Sequence, residues 1–197
     1  MAERTDLPVV SFADAAAWEA WLEAEHLRSP GVWLAIGRKG SELPSVTYPE
    51  AVEVALCFGW IDGQKGAGDA LAWRQRFTPR GPRSRWSKIN VAAATRLGEA
   101  GRLRAAGHRE VERAQADGRW AAAYDAPRTA TPHPDLAAAL DANPAAAAAF
   151  AALGSRERYA MLYRVGEAKR AETRARRVAT YVGMLERGET LSLWPSR

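Results

Sequence analysis

Two extended runs joined by a short glycine-rich turn restrict the folds open to this chain more than any other feature. The runs cover Trp60 to Lys65 and Leu71 to Phe77, and between them residues 66–69 read Gly-Ala-Gly-Asp. Glycines at the junction of two extended runs are typical of a β-hairpin. The sequence therefore predicts an antiparallel pair of strands, and a purely helical fold is excluded.

Alternation along the second run assigns its side chains to two faces. Successive side chains of a strand point to opposite sides of the sheet. Trp73, Gln75 and Phe77 are therefore expected on one face. Arg74 and Arg76 fall on the other, where we expect their guanidinium groups to face solvent or a ligand.

The remaining segments complete an α+β protein. Val32 to Ile36 is β-prone and bounded by glycines, and Thr47-Tyr48-Pro49-Glu50 has the form of a capping box before a helix. Beyond Asn90 the apolar spacing is helical almost throughout. We predict a small N-terminal antiparallel or mixed sheet with packed helices over residues 1–90, and an all-helical C-terminal part over 91–197 that shares one continuous core with it.

Charge is distributed unevenly along the chain. The net charge is +5, yet the segment between Asp69 and Glu99 contains no acid. Its basic residues alone exceed the net charge of the whole chain, so the rest is net acidic; they are Arg74, Arg76, Arg80, Arg83, Arg85, Lys88 and Arg96. One basic segment in an otherwise net acidic chain indicates a local anion site or a nucleic-acid footprint.

Several classes of protein fit poorly with the composition. A single cysteine excludes a disulfide framework, and the three histidines show no metal-ligand spacing, so we expect no metal and no cofactor. No apolar run approaches the roughly 20 residues of a membrane span. The first ten residues lack the pattern of an export signal, from which a cytoplasmic protein is expected.

Seven segments read together resemble a known family. They are Trp21-Leu22, Gly31–Leu34, Tyr48–Val52, Cys57–Gln64, Arg76–Arg80, Trp86–Asn90 and, near the end, Ala168-Lys169 with Glu172–Arg177. In combination they resemble the YdeI/OmpD-associated, or bacteriocin-protection, family over nearly the whole chain. The resemblance implies a role in resistance to cationic antimicrobial peptides and association with an outer-membrane porin. It implies no reaction and no catalytic residue.

The ligand-binding prediction combines this resemblance with the basic segment. Guanidinium groups bind phosphate or carboxylate through paired hydrogen bonds, and aromatic rings stack on planar ligands. We predict a basic and aromatic groove that holds an anionic or aromatic small molecule or peptide, with these residues: Asp62, Gln64, Trp73, Arg74, Arg76, Arg80, Trp86, Lys88 and Arg174.

Other interpretations of the same residues stay open. The aromatic side chains can be core anchors, and the arginines can pair with acids elsewhere in the chain. The alternative functions are nucleic-acid binding through residues 74–96 and an uncharacterised small-molecule enzyme. A homo-oligomer is also compatible with eight tryptophans in 197 residues.

Overall fold

The predicted hairpin forms half of a four-stranded sheet. The computed structural model describes residues 7–189, and the segment expected to lack an export signal falls partly outside them. In chain order, the elements up to residue 123 are β1 (Val9–Ser11), α1 (Ala15–Glu25), β2 (Val32–Gly37), α2 (Tyr48–Cys57), β3 (Trp60–Gly66), β4 (Ala72–Pro79), α3 (Lys88–Glu99) and α4 (Ala105–Ala116). The predicted α+β class is thereby confirmed.

The sheet is mixed, with the strand order β1-β2-β4-β3. β4 pairs antiparallel with both β2 and β3, whereas β1 pairs parallel with β2. The three-residue strand β1 is not among the predicted strands. Because β4 lies between β2 and β3, each of its residues has a neighbouring strand on both edges within the sheet.

Helices pack on one face of the sheet, and the apolar core lies between these helices and that face. Gln75 and Phe77 are buried while Arg74 is exposed, so the predicted alternation along β4 is confirmed. Leu34 and Phe77 join the core with Trp18 of α1 and Val54 of α2. We call the opposite side of the sheet, which carries Trp33, Ala35, Arg74 and Arg76, the outer face.

Aromatic rings fill the core beneath the helices. Trp18 is fully buried, and its ring centroid lies 5.3 Å from that of Phe12 and 5.7 Å from that of Phe77. Its indole N–H donates to the carbonyl of Ala51 over 3.2 Å, so burial leaves this polar atom satisfied. Truncating a buried tryptophan costs about 3–5 kcal/mol, which makes Trp18 a main anchor of α1.

Helix α4 approaches the end of α2 very closely. The backbone N–H of Arg104 donates to the carbonyl of Cys57 over 2.9 Å. A Cβ placed on Gly107 would lie only 2.4 Å from the same carbonyl oxygen. Glycine at position 107 therefore permits this contact between two helices.

The chain divides into two compact units between Ala123 and Tyr124. The predicted division near Asn90 differs, because α3 and α4 pack on α2 and add Ala94, Leu97 and Ala114 to the first core. The second unit contains α5 (Pro134–Asp141), α6 (Pro144–Ala152), α7 (Ser155–Gly166) and α8 (Ala171–Glu186). Its own apolar cluster includes Leu136, Met161, Val178 and Leu185.

Helix α8 is the centre of the second unit, since α5, α6 and α7 all pack against it. Asn143 caps the start of α6: its side-chain oxygen accepts a hydrogen bond from the N–H of Ala146 over 3.1 Å. Within residues 7–189, no helix combines the length and apolar character that crossing a bilayer requires.

Candidate functional site

Arg74 and Arg76 lie two residues apart on the outer face. In the register of the sheet Arg74 stands opposite Ala35, and Arg76 stands opposite Trp33. Arg74 is exposed and Arg76 is half-buried. Among residues 7–189, neither guanidinium group has a hydrogen-bond or ion-pair partner. Two adjacent positive charges are therefore left for a ligand or for solvent.

A carboxylate at the end of the hairpin is engaged elsewhere. The Asp69 carboxylate accepts hydrogen bonds from the N–H groups of Leu71 and Ala72, both over 2.9 Å. These bonds lower the pKa of Asp69, and the positive charge of Arg74 adds to the effect. The Asp69 carboxylate therefore stabilises the turn, and it makes no ion pair with Arg74.

Trp33 adds an aromatic ring to the outer face. It belongs to β2, yet a Cβ placed on Gly66 of β3 would lie 2.8 Å from a carbon of its six-membered ring. Neighbouring strands in a sheet lie about 4.8 Å apart, and β4 lies between β2 and β3. The indole must therefore extend along the sheet, across β4, to reach β3. Among the described residues the ring has no aromatic or cationic partner.

A β-bulge brings small residues beside Arg76. Asp62 pairs with Phe77 and Lys65 with Gln75, so β3 has one residue more than β4 over this stretch. Gly63 lies in the bulge, where an added Cβ would be 3.5 Å from the Cβ of Arg76. Exposed Gln64, a predicted site residue, lies in the same bulge.

Asp62 and Trp73 lie on the helix side of the sheet rather than on the outer face. Asp62 is opposite Phe77 in the register, and its carboxylate accepts a 2.7 Å hydrogen bond from the Tyr48 hydroxyl. The Trp73 ring lies 5.8 Å from that of Tyr48 and 4.3 Å from the ammonium nitrogen of Lys65. This group is separated from Arg74 and Arg76 by the thickness of the sheet.

Arg80 and Trp86 form a buried contact in the segment that follows β4. The guanidinium carbon of Arg80 lies 3.6 Å from the centre of the Trp86 ring, and its Nη1 donates to the carbonyl of Arg85 over 3.1 Å. Arg80 is 5% exposed and Trp86 is 2% exposed. The pair therefore stabilises this segment, while Lys88 is exposed at the start of α3.

Two family models match the chain, one in each unit. Residues 10–110 match the family described as Domain of unknown function (DUF8412). Residues 129–188 match the family described as Bacteriocin-protection, YdeI or OmpD-Associated. The chain belongs to the DUF8412 family and carries a YdeI/OmpD-associated domain. No curated protein and no solved structure matches it significantly.

The predicted resemblance is confirmed by the C-terminal match, but over a shorter range than expected. Only Ala168-Lys169 and Glu172–Arg177 lie within residues 129–188. The N-terminal segments fall in the range that matches DUF8412 instead. The outer face therefore belongs to the DUF8412 domain.

Arg174 lies in the YdeI/OmpD-associated domain, where its side chain is engaged. Its Nε donates to the Asp135 carboxylate over 2.6 Å, and its Nη1 donates to the carbonyl of Ala168 over 2.9 Å. The first of these bonds lowers the pKa of Asp135. Arg177 likewise donates to the carbonyl of Arg164. Both arginines join α8 to neighbouring elements of the same unit.

Among the predicted site residues, Asp62 and Trp73 lie on the opposite side of the sheet from Arg74 and Arg76, and the ligand-binding role of all nine stays a prediction. Arg74 and Arg76 share the outer face with Trp33, which was not predicted as a site residue. The signal for Trp33 was present in the sequence, since residues 33 and 35 alternate with buried Val32, Leu34 and Ile36. An aromatic residue at an outward position of a strand is the feature that could have indicated it.

Proposed function

We propose that the protein is a non-enzymatic binding protein that holds an anionic ligand on the outer face of its DUF8412 domain. The observation that carries this proposal is the pair Arg74 and Arg76, two guanidinium groups on one strand without an internal partner in the described chain. The protective role named in the C-terminal family description is compatible with a protein that acts by binding.

Two other basic residues of the segment are engaged within the protein, which favours a small site over an extended one. Arg80 is buried against Trp86, and Arg96 forms an ion pair with Glu53. A single-stranded nucleic acid on Arg74 and Arg76 alone would lose affinity with salt by a log–log slope of only about −1.4. Seven engaged phosphates would give a slope of about −5. The outer face is therefore suited to a ligand with few charges.

Binding of anions by matched variants tests the proposal. A hydrogen bond to a charged group contributes about 1.5–3 kcal/mol, so Arg74→Gln or Arg76→Gln is expected to weaken anion binding by about tenfold or more. Arg83→Gln is the matched control, because Arg83 is an exposed arginine of the same acid-free segment. Inorganic phosphate, citrate and adenosine diphosphate serve as probes in calorimetric titration.

The comparison between variants decides the outcome. We expect the first two variants to lose binding while Arg83→Gln retains the wild-type affinity. Equal anion affinity in all three variants would show that the ligand does not bind on the outer face. Absence of binding by the wild-type protein to every anion probe would refute the proposal as a whole.

A further inference from the structure

The spacing of charges on the outer face restricts what a ligand there can look like. Arg74 and Arg76 are two residues apart on one strand. A strand rises about 3.4 Å per residue, so their backbone positions are about 7 Å apart. A guanidinium fork binds a carboxylate or phosphate through two parallel hydrogen bonds. Two anionic groups at about this separation can therefore each pair with one arginine.

The indole of Trp33 lies between these two charged positions. Trp33 starts opposite Arg76, and its ring ends against Gly66, which is opposite Arg74. The ring therefore crosses β4 diagonally from one arginine toward the other. A ligand that bridges the two guanidinium groups passes over this aromatic side chain.

Small residues beside the ring leave room for a flat ligand. Ala35 faces Arg74 across the β2–β4 pair, and Gly63 lies beside Arg76 in the bulge. Ser11 of β1 is opposite Ala35 on the next strand. None of these side chains extends far from the sheet, so a planar group has space beside Trp33. Stacking on an aromatic side chain contributes about 1–3 kcal/mol for a nucleic-acid base.

We infer that the ligand of the outer face is an aromatic dianion, a planar ring with two anionic groups about 7 Å apart, bound by Arg74 and Arg76 with its ring against Trp33. This inference rests on the proposed function and adds the chemical class of the ligand. Aromatic dicarboxylates and aromatic bisphosphates share this chemistry. The binding mode uses two paired charges and one stacking contact.

Three probes separate the contributions of charge and ring. Terephthalate has a ring and two carboxylates, benzoate has a ring and one carboxylate, and adipate has two carboxylates and no ring. We expect the wild-type protein to bind terephthalate about tenfold more tightly than benzoate, and at least about fivefold more tightly than adipate. Calorimetric titration at low salt measures all three affinities.

Variants assign each preference to a side chain. Arg74→Gln or Arg76→Gln is expected to abolish the preference for terephthalate over benzoate. Trp33→Leu is expected to abolish the preference for terephthalate over adipate and to leave the affinity for adipate unchanged. Arg83→Gln again serves as the control and keeps both preferences, and a circular-dichroism spectrum checks that each variant is folded.

The possible failures differ for the two proposals. If all three probes bind equally and all lose affinity in Arg74→Gln, the outer face binds anions but the dianion inference is wrong. If no probe binds, or Arg74→Gln changes no affinity, the dianion inference is wrong. The proposed function falls as well only if phosphate, citrate and adenosine diphosphate also fail to bind the wild-type protein. Tighter binding of an oligothymidylate, with a log–log salt slope steeper than about −3, would show that the ligand is a polymer rather than a small dianion.

Discussion

Replacement of Gly107 by alanine tests the close contact between α4 and α2. The added methyl carbon would lie 2.4 Å from the carbonyl oxygen of Cys57 and 3.0 Å from that of Leu56. Both atoms belong to the backbone, so relief requires that α4 moves away from α2. Overpacking of this kind costs about 1–3 kcal/mol, and the better helix propensity of alanine returns up to about 1 kcal/mol.

Subtraction of the full gain leaves an expected net loss in the free energy of unfolding of about 0–2 kcal/mol. With a urea m-value of about 2 kcal/mol/M, the midpoint of unfolding falls by up to about 1 M. Gly98→Ala is the matched control, because Gly98 is also helical and its nearest neighbour, the side chain of Leu103, is at 3.4 Å. We expect this variant to be as stable as the wild type or slightly more stable. A Gly107→Ala midpoint equal to that of Gly98→Ala would refute the argument.

Three further predictions concern other parts of the chain. Gly66→Ala places a methyl group where the Trp33 ring now lies, so we expect unchanged urea stability but the same loss of terephthalate preference as in Trp33→Leu; unaltered binding would contradict this. Asp135→Asn is expected to lower stability at pH 7, because the pKa of Asp135 is lower in the folded protein than in the unfolded one. That stabilisation is complete above the ordinary aspartate pKa of about 3.9 and disappears as the pH falls through the lower folded value. The gap between the urea midpoints of variant and wild type should therefore narrow as the pH falls below about 3.9; a constant gap would count against it. Cys57 is buried and burial raises its pKa, so Ellman's reagent at pH 8 should react slowly with the native protein and fast in urea; rapid native reaction would disprove this.

Local signals in the sequence were sufficient to predict most of the helices and strands. The hairpin turn at 66–69 and the alternation along β4 lie within a few residues of the contacts they determine. The cap before α2 is equally local: the Glu50 carboxylate accepts a hydrogen bond from the N–H of Thr47 over 2.9 Å. Such short-range features depend little on the rest of the fold.

Pairings between residues far apart in the chain could not be predicted from the sequence in the same way. β1 has three residues and pairs in parallel with a strand more than twenty residues away, so no turn sequence indicates it. The ion pair of Arg174 with Asp135 joins residues 39 positions apart. The sequence could show that basic residues are abundant, but not which of them find partners inside the fold.

The candidate site illustrates the same limit. Arg74 and Arg76 were predictable as a pair because period-two geometry places them on one face. Alternation along β2 places Trp33 at an outward position, but its position beside the arginines follows from the strand order, which places β4 between β2 and β3. Asp62 and Trp73 were separated from the arginines by that same geometry.

The two apolar clusters also bear on how this protein could evolve. One cluster uses residues up to Ala123, the other begins at Ala130, and each family model matches the range of one cluster. A substitution in either interior is repaired by changes among neighbours in the same cluster. A crossover near residue 124 would consequently keep the residues of each cluster together on one side of the junction.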